Sequence, residues 1–136
     1  MKDYFNVIKG YLTELELEIK HENSADSIFI VSSEQEGVVN LIICVAYPIV
    51  IFEQFLFEIK TDSPLVYKAL LQKNRDIIHG AFVLDHTGQK VIFRDSLQLE
   101  NLDLNEFGAT LNSLSLLLSE YSEQIINFSK KRHEIS

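Results

Sequence analysis

A run of strand-forming residues near the middle of the chain constrains the fold more than any other feature. Residues 38–59 are rich in β-branched and aromatic side chains, and Tyr47-Pro48 interrupts them, because proline cannot donate a hydrogen bond within a central strand. The run therefore predicts two strands, over residues 38–46 and 49–59. The first half of the second strand is apolar at both odd and even positions. Such a strand needs cover on both faces, from its own chain or from a partner.

Helical periodicity marks both ends of the chain. Apolar residues from Tyr4 to Leu15 recur at helical spacing and predict a first helix over about residues 2–15. Acidic and apolar residues then alternate strictly over Glu14–Ile19, which suits an extended segment. The helix therefore either stops near Leu15 or continues to Lys20. Near the other end, a capping-box pattern predicts that the last helix begins at Asp103. Its apolar residues are spaced alternately by three and four, as in a heptad: Leu104, Phe107, Leu111, Leu114, Leu118, Tyr121, Ile125 and Phe128.

Three further strands and a short helix complete the predicted fold. The strands cover residues 27–32, 77–84 and 91–97, and the last two are joined by a turn at 85–89. Ser63 is expected to cap the short helix, which ends near Asn74, with Pro64 in its first turn. The buried stripe of this helix is predicted to be Leu65, Val66, Ala69 and Leu70.

The predicted order of elements is α-β-β-β-α-β-β-α, which defines an α+β fold. Short connections favour antiparallel pairing within each group of strands, so we expect an antiparallel sheet packed against helices on one face. At 136 residues the chain has the length of one domain. We therefore predict a single domain over residues 1–136, with a frayed tail from about 130 to 136.

Charge and hydropathy exclude several classes of partner. The 12 basic and 20 acidic residues give a net charge of −8, which argues against binding to nucleic acid, because phosphate contacts depend on clustered Lys and Arg. A hydrophobic content of 46% is too high for a disordered chain. The longest apolar run, Leu41–Tyr47, is much shorter than the roughly 20 residues that span a bilayer. The sequence thus predicts a cytoplasmic protein without membrane insertion, and its first residues lack the apolar stretch of a secretion signal.

The sequence holds no recognisable catalytic or metal-binding pattern. It has one cysteine, Cys44, and four scattered histidines, so neither a disulfide nor a zinc site is expected. Nucleotide-binding loops and the sequence patterns of zinc proteases and serine hydrolases are missing from it. Asp85 and Asp95 flank a predicted hairpin, and we interpret them as solvated charges rather than as a catalytic pair. We expect no catalytic residues, no metal and no cofactor, and hence a protein that is not an enzyme.

Two apolar features exceed what the core of a monomer requires. They are the middle strands, which are apolar on both faces, and the long heptad helix. Each is a candidate partner surface, although the same residues could equally be plain core. We therefore expect binding to another polypeptide and a homodimer. The candidate partner-binding residues are Ile49, Ile51, Phe55 and Phe57 on the sheet and Tyr121, Ile125 and Phe128 at the far end of the helix.

Three stretches of the chain resemble one bacterial superfamily. Residues 70–85 are similar to its pattern of a helix ending in Leu-Asn, a Gly-small-Phe strand and an acidic turn with glycine. Residues 91–97 followed by 102–104 resemble the next strand and the start of the last helix, and residues 37–41 resemble the second strand. The superfamily is that of the type III secretion chaperone-like proteins, which includes the CesT and YbjN-like groups.

This resemblance implies a small, acidic, usually dimeric α+β protein that binds other polypeptides. Chaperones of this superfamily hold an extended segment of a client along apolar grooves, which agrees with the surplus of apolar strand surface. A regulatory module that senses a small apolar ligand between sheet and helices is the alternative function.

Overall fold

The computed structural model describes residues 2–60 and 63–134, and the side chains of these residues as far as 123. Six strands form one antiparallel sheet in the order β1-β2-β3-β4-β6-β5, accompanied by three helices. The predicted α+β class is confirmed. The elements are α1 (Tyr4–Glu14), β1 (Glu18–Asn23), β2 (Ile28–Ser33), β3 (Val38–Ala46), β4 (Ile49–Glu58), α2 (Pro64–Asn74), β5 (Ala81–Leu84), β6 (Lys90–Gln98) and α3 (Leu104–Glu134).

The predicted order of elements lacked one strand, β1. The extended alternative for the segment after the first helix was the right one, because α1 ends at Glu14 and β1 pairs with β2. Glu16 has a φ of 60° and turns the chain between the two elements. Ile19 is the only apolar residue in β1, so this strand depends on backbone pairing and shows little of the apolar alternation by which strands are recognised.

Helix α2 has the predicted bounds but a different buried stripe. Val66 and Leu70 are buried, whereas Leu65 is 71% exposed, so its predicted place in the stripe was wrong. The expected side-chain cap is also wrong, because the hydroxyl of Ser63 makes no capping hydrogen bond. The carbonyl oxygen of Ser63 instead accepts from the N–H of Val66 at 3.0 Å.

Strand β5 begins four residues later than predicted, and Gly80 explains the delay. Its φ of +88° departs from strand geometry, and a Cβ at this position would clash with the ring of Phe93. Only glycine allows the backbone to approach that ring so closely in this conformation. Ile78, inside the predicted strand, is 89% exposed.

Helix α3 begins as predicted, because the carboxylate of Asp103 accepts a hydrogen bond from the N–H of Glu106 at 2.8 Å. Three heptad residues, Phe107, Leu111 and Leu114, are buried. The side chains of Ile125 and Phe128 lie outside the described residues. The backbone of α3 continues to Glu134, through residues 130–134 of the predicted frayed tail, and residues 135–136 lie outside the described residues. No helix in the described part of the chain is long and apolar enough to cross a membrane.

The three helices cover one face of the sheet, and the core lies between the helices and this face. The ring of Phe5 in α1 stacks on Phe29 in β2 at 4.3 Å between centroids, and Phe107 in α3 lies 5.3 Å from Phe52 in β4. Val66 and Leu70 of α2 belong to the same buried cluster. This face, called the covered face below, presents Phe29, Val31, Leu41, Ile43, Val50, Phe52, Phe57, Phe82, Val91 and Phe93, all buried.

Candidate functional site

The opposite side of the sheet, called the open face below, is also apolar. Strand register places the cross-strand partners Ile30 and Ile42 in one row with Glu53 and Arg94, and Ile28, Cys44 and Ile51 in the next row. Alternation along each strand sends these side chains away from the helices. The open face consists of Ile28, Ile30, Ile42, Cys44, Ile49, Ile51, Glu53, Phe55, Ile92 and Arg94.

The apolar residues of the open face are only partly shielded from solvent. Phe55 is 55% exposed and Ile42 is 44% exposed, while the isoleucines around them are half-buried. None of these residues belongs to the core cluster of the described chain or packs against it. Contiguous exposed apolar surface of this kind typically marks an interaction site.

One ion pair lies in the middle of the open face. The Nε atom of Arg94 donates to Oε1 of Glu53 at 3.1 Å, and the two residues face each other across β4 and β6. Both side chains are 41% exposed. Ile51 and Phe55 flank Glu53 along its strand, and Ile42 lies beside it on β3. The pair is therefore the polar centre of an otherwise apolar surface.

The structure separates the candidate residues of the sheet. Ile49, Ile51 and Phe55 lie on the open face. Phe57 does not, because a bulge between Phe55 and Phe57 shifts the register and turns Phe57 towards the helices. Its side chain is 5% exposed and belongs to the core. Its predicted place on a surface was therefore wrong.

The candidates on the last helix do not extend the open face. Tyr121 is half-buried against the core, and the ammonium group of Lys73 lies 4.5 Å from its ring centroid. Ile125 and Phe128 lie outside the residues whose side chains are described.

Sequence reasoning missed several residues of the open face, chiefly those outside β4: Ile28, Ile30, Ile42 and Ile92. Their apolar character was visible, but which of two apolar faces the helices would cover was not. Strand register combined with the placement of the long helix would have been the signal that identifies them.

A second apolar surface, called the β5 surface below, lies where α2 meets the edge of the sheet. Leu71 is 71% exposed and Leu84 is 43% exposed. Between them runs a groove of about 310 Å³, lined by Tyr67, Leu70, Leu71, Asn74, Phe82, Val83 and Leu84. The side-chain amide of Asn74 donates to the carbonyl oxygen of Phe82 at 3.0 Å and accepts from its N–H at 2.7 Å, in the manner of a neighbouring strand.

A third feature is a groove of about 380 Å³ between the segment after α2 and the middle of α3. It is lined by Asp76, Ile77, Ile78, His79, Ala109, Asn112, Ser113, Leu116, Leu117, Glu120 and Tyr121. The hydroxyl of Ser113 donates to the carbonyl oxygen of His79 at 2.6 Å and fixes one wall. The alternative function expected a pocket between sheet and helices, and of these two grooves only that of the β5 surface lies between a helix and a strand, at the edge of the sheet.

The acidic residues near the last hairpin have structural partners. The hydroxyl of Thr87 donates to Oδ1 of Asp85 at 2.7 Å, and this bond is the main reason that the pKa of Asp85 is lowered. Oδ2 of Asp95 accepts from the hydroxyl of Thr110 at 2.7 Å, which links β6 to α3. The described residues contain no group of three or more His, Cys, Asp or Glu that could hold a metal ion.

Among the residues that the structure describes, Tyr11 is the other titratable one with a shifted pKa. Burial raises its pKa, and the negative charges of Asp103 and Glu14 add to this effect. Its hydroxyl donates to the carbonyl oxygen of Leu102 at 3.0 Å, which ties α1 to the start of α3. This hydrogen bond helps to hold the helices together on their side of the sheet.

The resemblance of the sequence to the type III secretion chaperone-like proteins is confirmed. The CesT_Tir_1 family model matches residues 1–131. The chain belongs to this family. No match was found among curated proteins.

Solved structures share this fold at low sequence identity. YbjN from E. coli, described as a putative transcription regulator, matches with a TM-score of 0.69 and 14% identity, over 88% of this chain and 92% of that chain. The HopA1-SchA chaperone-effector complex matches with a TM-score of 0.65 and 13% identity, over 88% and 93%. The Yersinia pestis type III secretion chaperone SycH, in complex with a fragment of YscM2, matches with a TM-score of 0.56 and 14% identity, over 93% and 99%.

Proposed function

We propose that this chain is a single, non-enzymatic, chaperone-like domain that holds a segment of another polypeptide on the open face. The observation that carries this proposal is the contiguous apolar surface that no helix covers in the described structure. Apolar side chains from β2, β3, β4 and β6 form it, so a bound segment would cross several strands. Its burial would contribute roughly 25 cal/mol per Å² of apolar area removed from water.

Family membership supports a polypeptide as the ligand. Two of the structural neighbours are chaperones whose structures contain another protein, an effector in one and a YscM2 fragment in the other. An apolar sheet face with one central polar pair suits a peptide, which combines apolar side chains with backbone hydrogen-bonding groups. The expected cytoplasmic location remains a prediction.

The test is capture of a client by matched variants. The protein is immobilised, incubated with native lysate and analysed by mass spectrometry as wild type, Phe55→Asp and Leu116→Asp. Leu116 is 61% exposed on α3, away from the open face, so its variant controls for the loss of any exposed apolar residue. A client that is lost with Phe55→Asp and kept with Leu116→Asp is the expected result.

Circular dichroism must show that both variants are folded. A client that both variants capture as well as the wild type would contradict binding on the open face. Unfolding of Phe55→Asp alone would show that Phe55 is a core residue and would contradict the proposed surface as well.

We propose that the protein is a homodimer and that the β5 surface joins the two copies. Leu71 and Leu84 project beside an apolar groove on the same surface. In a two-fold arrangement each copy can therefore place these side chains against the groove of the other. This use of the β5 surface leaves the open face free for a client.

Light scattering after size exclusion tests the dimer. The wild type is expected to have twice the mass of one chain at micromolar concentration, and Leu71→Glu is expected to be monomeric. Ile42→Glu, on the open face, serves as the control and should remain dimeric. A monomeric wild type would contradict the dimer, and a dimeric Leu71→Glu would contradict its assignment to the β5 surface.

A further inference from the structure

The Glu53–Arg94 pair creates a problem for any client that covers the open face with apolar side chains alone. The side chains of Glu53 and Arg94 are each 41% exposed in the free protein, so water still solvates both charged groups. Covering it would remove that water. Desolvation of an ion pair costs more than its attraction returns unless other hydrogen bonds compensate.

The pair still has hydrogen-bonding capacity in both directions. A guanidinium group has five N–H donors, and among the described residues that of Arg94 has one partner, the Oε1 atom of Glu53. The second carboxylate oxygen of Glu53 can accept further hydrogen bonds. A complementary group must therefore accept from Arg94 and donate to Glu53 at the same time.

Charge argues against a simple ion as that group. A carboxylate would be attracted to Arg94 but repelled by Glu53, and an ammonium group would meet the reverse conflict. A primary amide is neutral and carries an acceptor and a donor side by side, and one residue of an extended backbone presents its own N–H and C=O to the same side. Either arrangement thus matches the pair without adding a net charge to the covered surface.

We infer that the Glu53–Arg94 pair sets the specificity of the open face by binding an amide donor and acceptor of the client. The inference rests on the proposed function and names the chemistry that the client must present at the centre of this surface. The two groups belong either to the side-chain amide of Gln or Asn or to the backbone N–H and C=O of one extended residue of the client. Apolar residues flank them and contact Ile42, Ile51 and Phe55.

Synthetic peptides test this inference. The host is a soluble 14-residue peptide of alternating Leu and Ser, with Gln, Leu, Glu or Lys at one central position and a fluorophore at its end. A fifth peptide has Leu at the centre and an N-methylated backbone there, which removes one backbone donor. Binding is measured by fluorescence anisotropy.

If the bound amide is a side chain, the Gln peptide should bind about five- to tenfold more tightly than the Leu, Glu and Lys peptides. This is the gain expected when one or two buried polar groups receive a hydrogen bond. A backbone amide predicts equal binding of the Gln and Leu peptides and about fivefold weaker binding of the N-methylated one. Binding of all five peptides with equal affinity would overturn the inference and leave the proposed function standing. Failure of every peptide to bind would count against the proposed function, and the inference would fall with it.

Variants tie the preference to the ion pair. Glu53→Leu/Arg94→Leu should bind the Leu peptide more tightly than the wild type does and should lose the amide preference. The exchanged variant, Glu53→Arg/Arg94→Glu, keeps an ion pair and should keep the preference, which guards against an effect of misfolding. If the amide preference persists without the pair, the inference is wrong.

Discussion

Both faces of the sheet are largely apolar, but their surroundings are opposite. Phe52 and Phe55 lie three residues apart in β4, yet Phe52 is fully buried against Phe107 while Phe55 is 55% exposed. Ile43 and Ile42 show the same contrast between neighbouring positions in β3. Hydrophobicity alone therefore does not distinguish a core from a binding surface in this chain. What distinguishes them is which face the helices cover.

The largest expected difference between the faces comes from truncating the two phenylalanines. Phe52→Ala should lower the free energy of unfolding by about 3–5 kcal/mol, because it leaves a cavity beneath α3. Phe55→Ala should lower it by less than about 1 kcal/mol, because little packing is lost at an exposed site. Urea denaturation of the wild type and both variants measures these free energies of unfolding. Equal losses would mean that the open face is covered in the free protein.

A smaller difference is expected from adjacent isoleucines. Thr has similar strand preference at both positions, so Ile43→Thr and Ile42→Thr differ mainly in burial. We expect a loss of about 2 kcal/mol for Ile43→Thr, which places a hydroxyl in the core, and about 0.5 kcal/mol or less for Ile42→Thr. Thermal unfolding followed by circular dichroism would show the contrast. A larger effect at Ile42 would reverse the assignment of the two faces.

The smallest effect is expected at Asp85, in the turn between β5 and β6. The hydrogen bond from Thr87 lowers the pKa of this carboxyl in the folded state. The stability that it contributes is therefore present above the unfolded pKa of about 3.9 and is lost as pH falls through the lower folded value. Asp85→Asn should be slightly less stable than the wild type at pH 7 and should approach it below about pH 4. A difference between them that does not change with pH would contradict this role.

Much of the fold was predictable because its strands and helices carry local signals. The bounds of β3 and α2 and the capping of α3 by Asp103 followed from apolar runs, Pro64 and a capping pattern. β1 was not predicted as a strand because a polar edge strand depends on pairing rather than on its own pattern. The late start of β5 depends on contact between Gly80 and Phe93, thirteen residues apart.

The candidate site was harder to predict than the fold, for a reason that Phe57 illustrates. Strict alternation along β4 puts Phe55 and Phe57 on one face, and the bulge between them puts Phe57 in the core. Such a bulge arises from pairing with β6, which no local pattern reveals. Ile49, Ile51 and Phe55 could be proposed from sequence because they precede it.

Cys44 offers the most direct test of the account, since it is the only cysteine of the chain and lies on the open face. The measurement is the rate at which iodoacetamide alkylates Cys44, followed by mass spectrometry of the intact protein, with and without a saturating captured client. If the client lies on the open face, its binding should slow alkylation at least about tenfold, because closed contact excludes the reagent and the solvent from the thiol. An unchanged alkylation rate in a complex shown to be saturated would contradict the central claim.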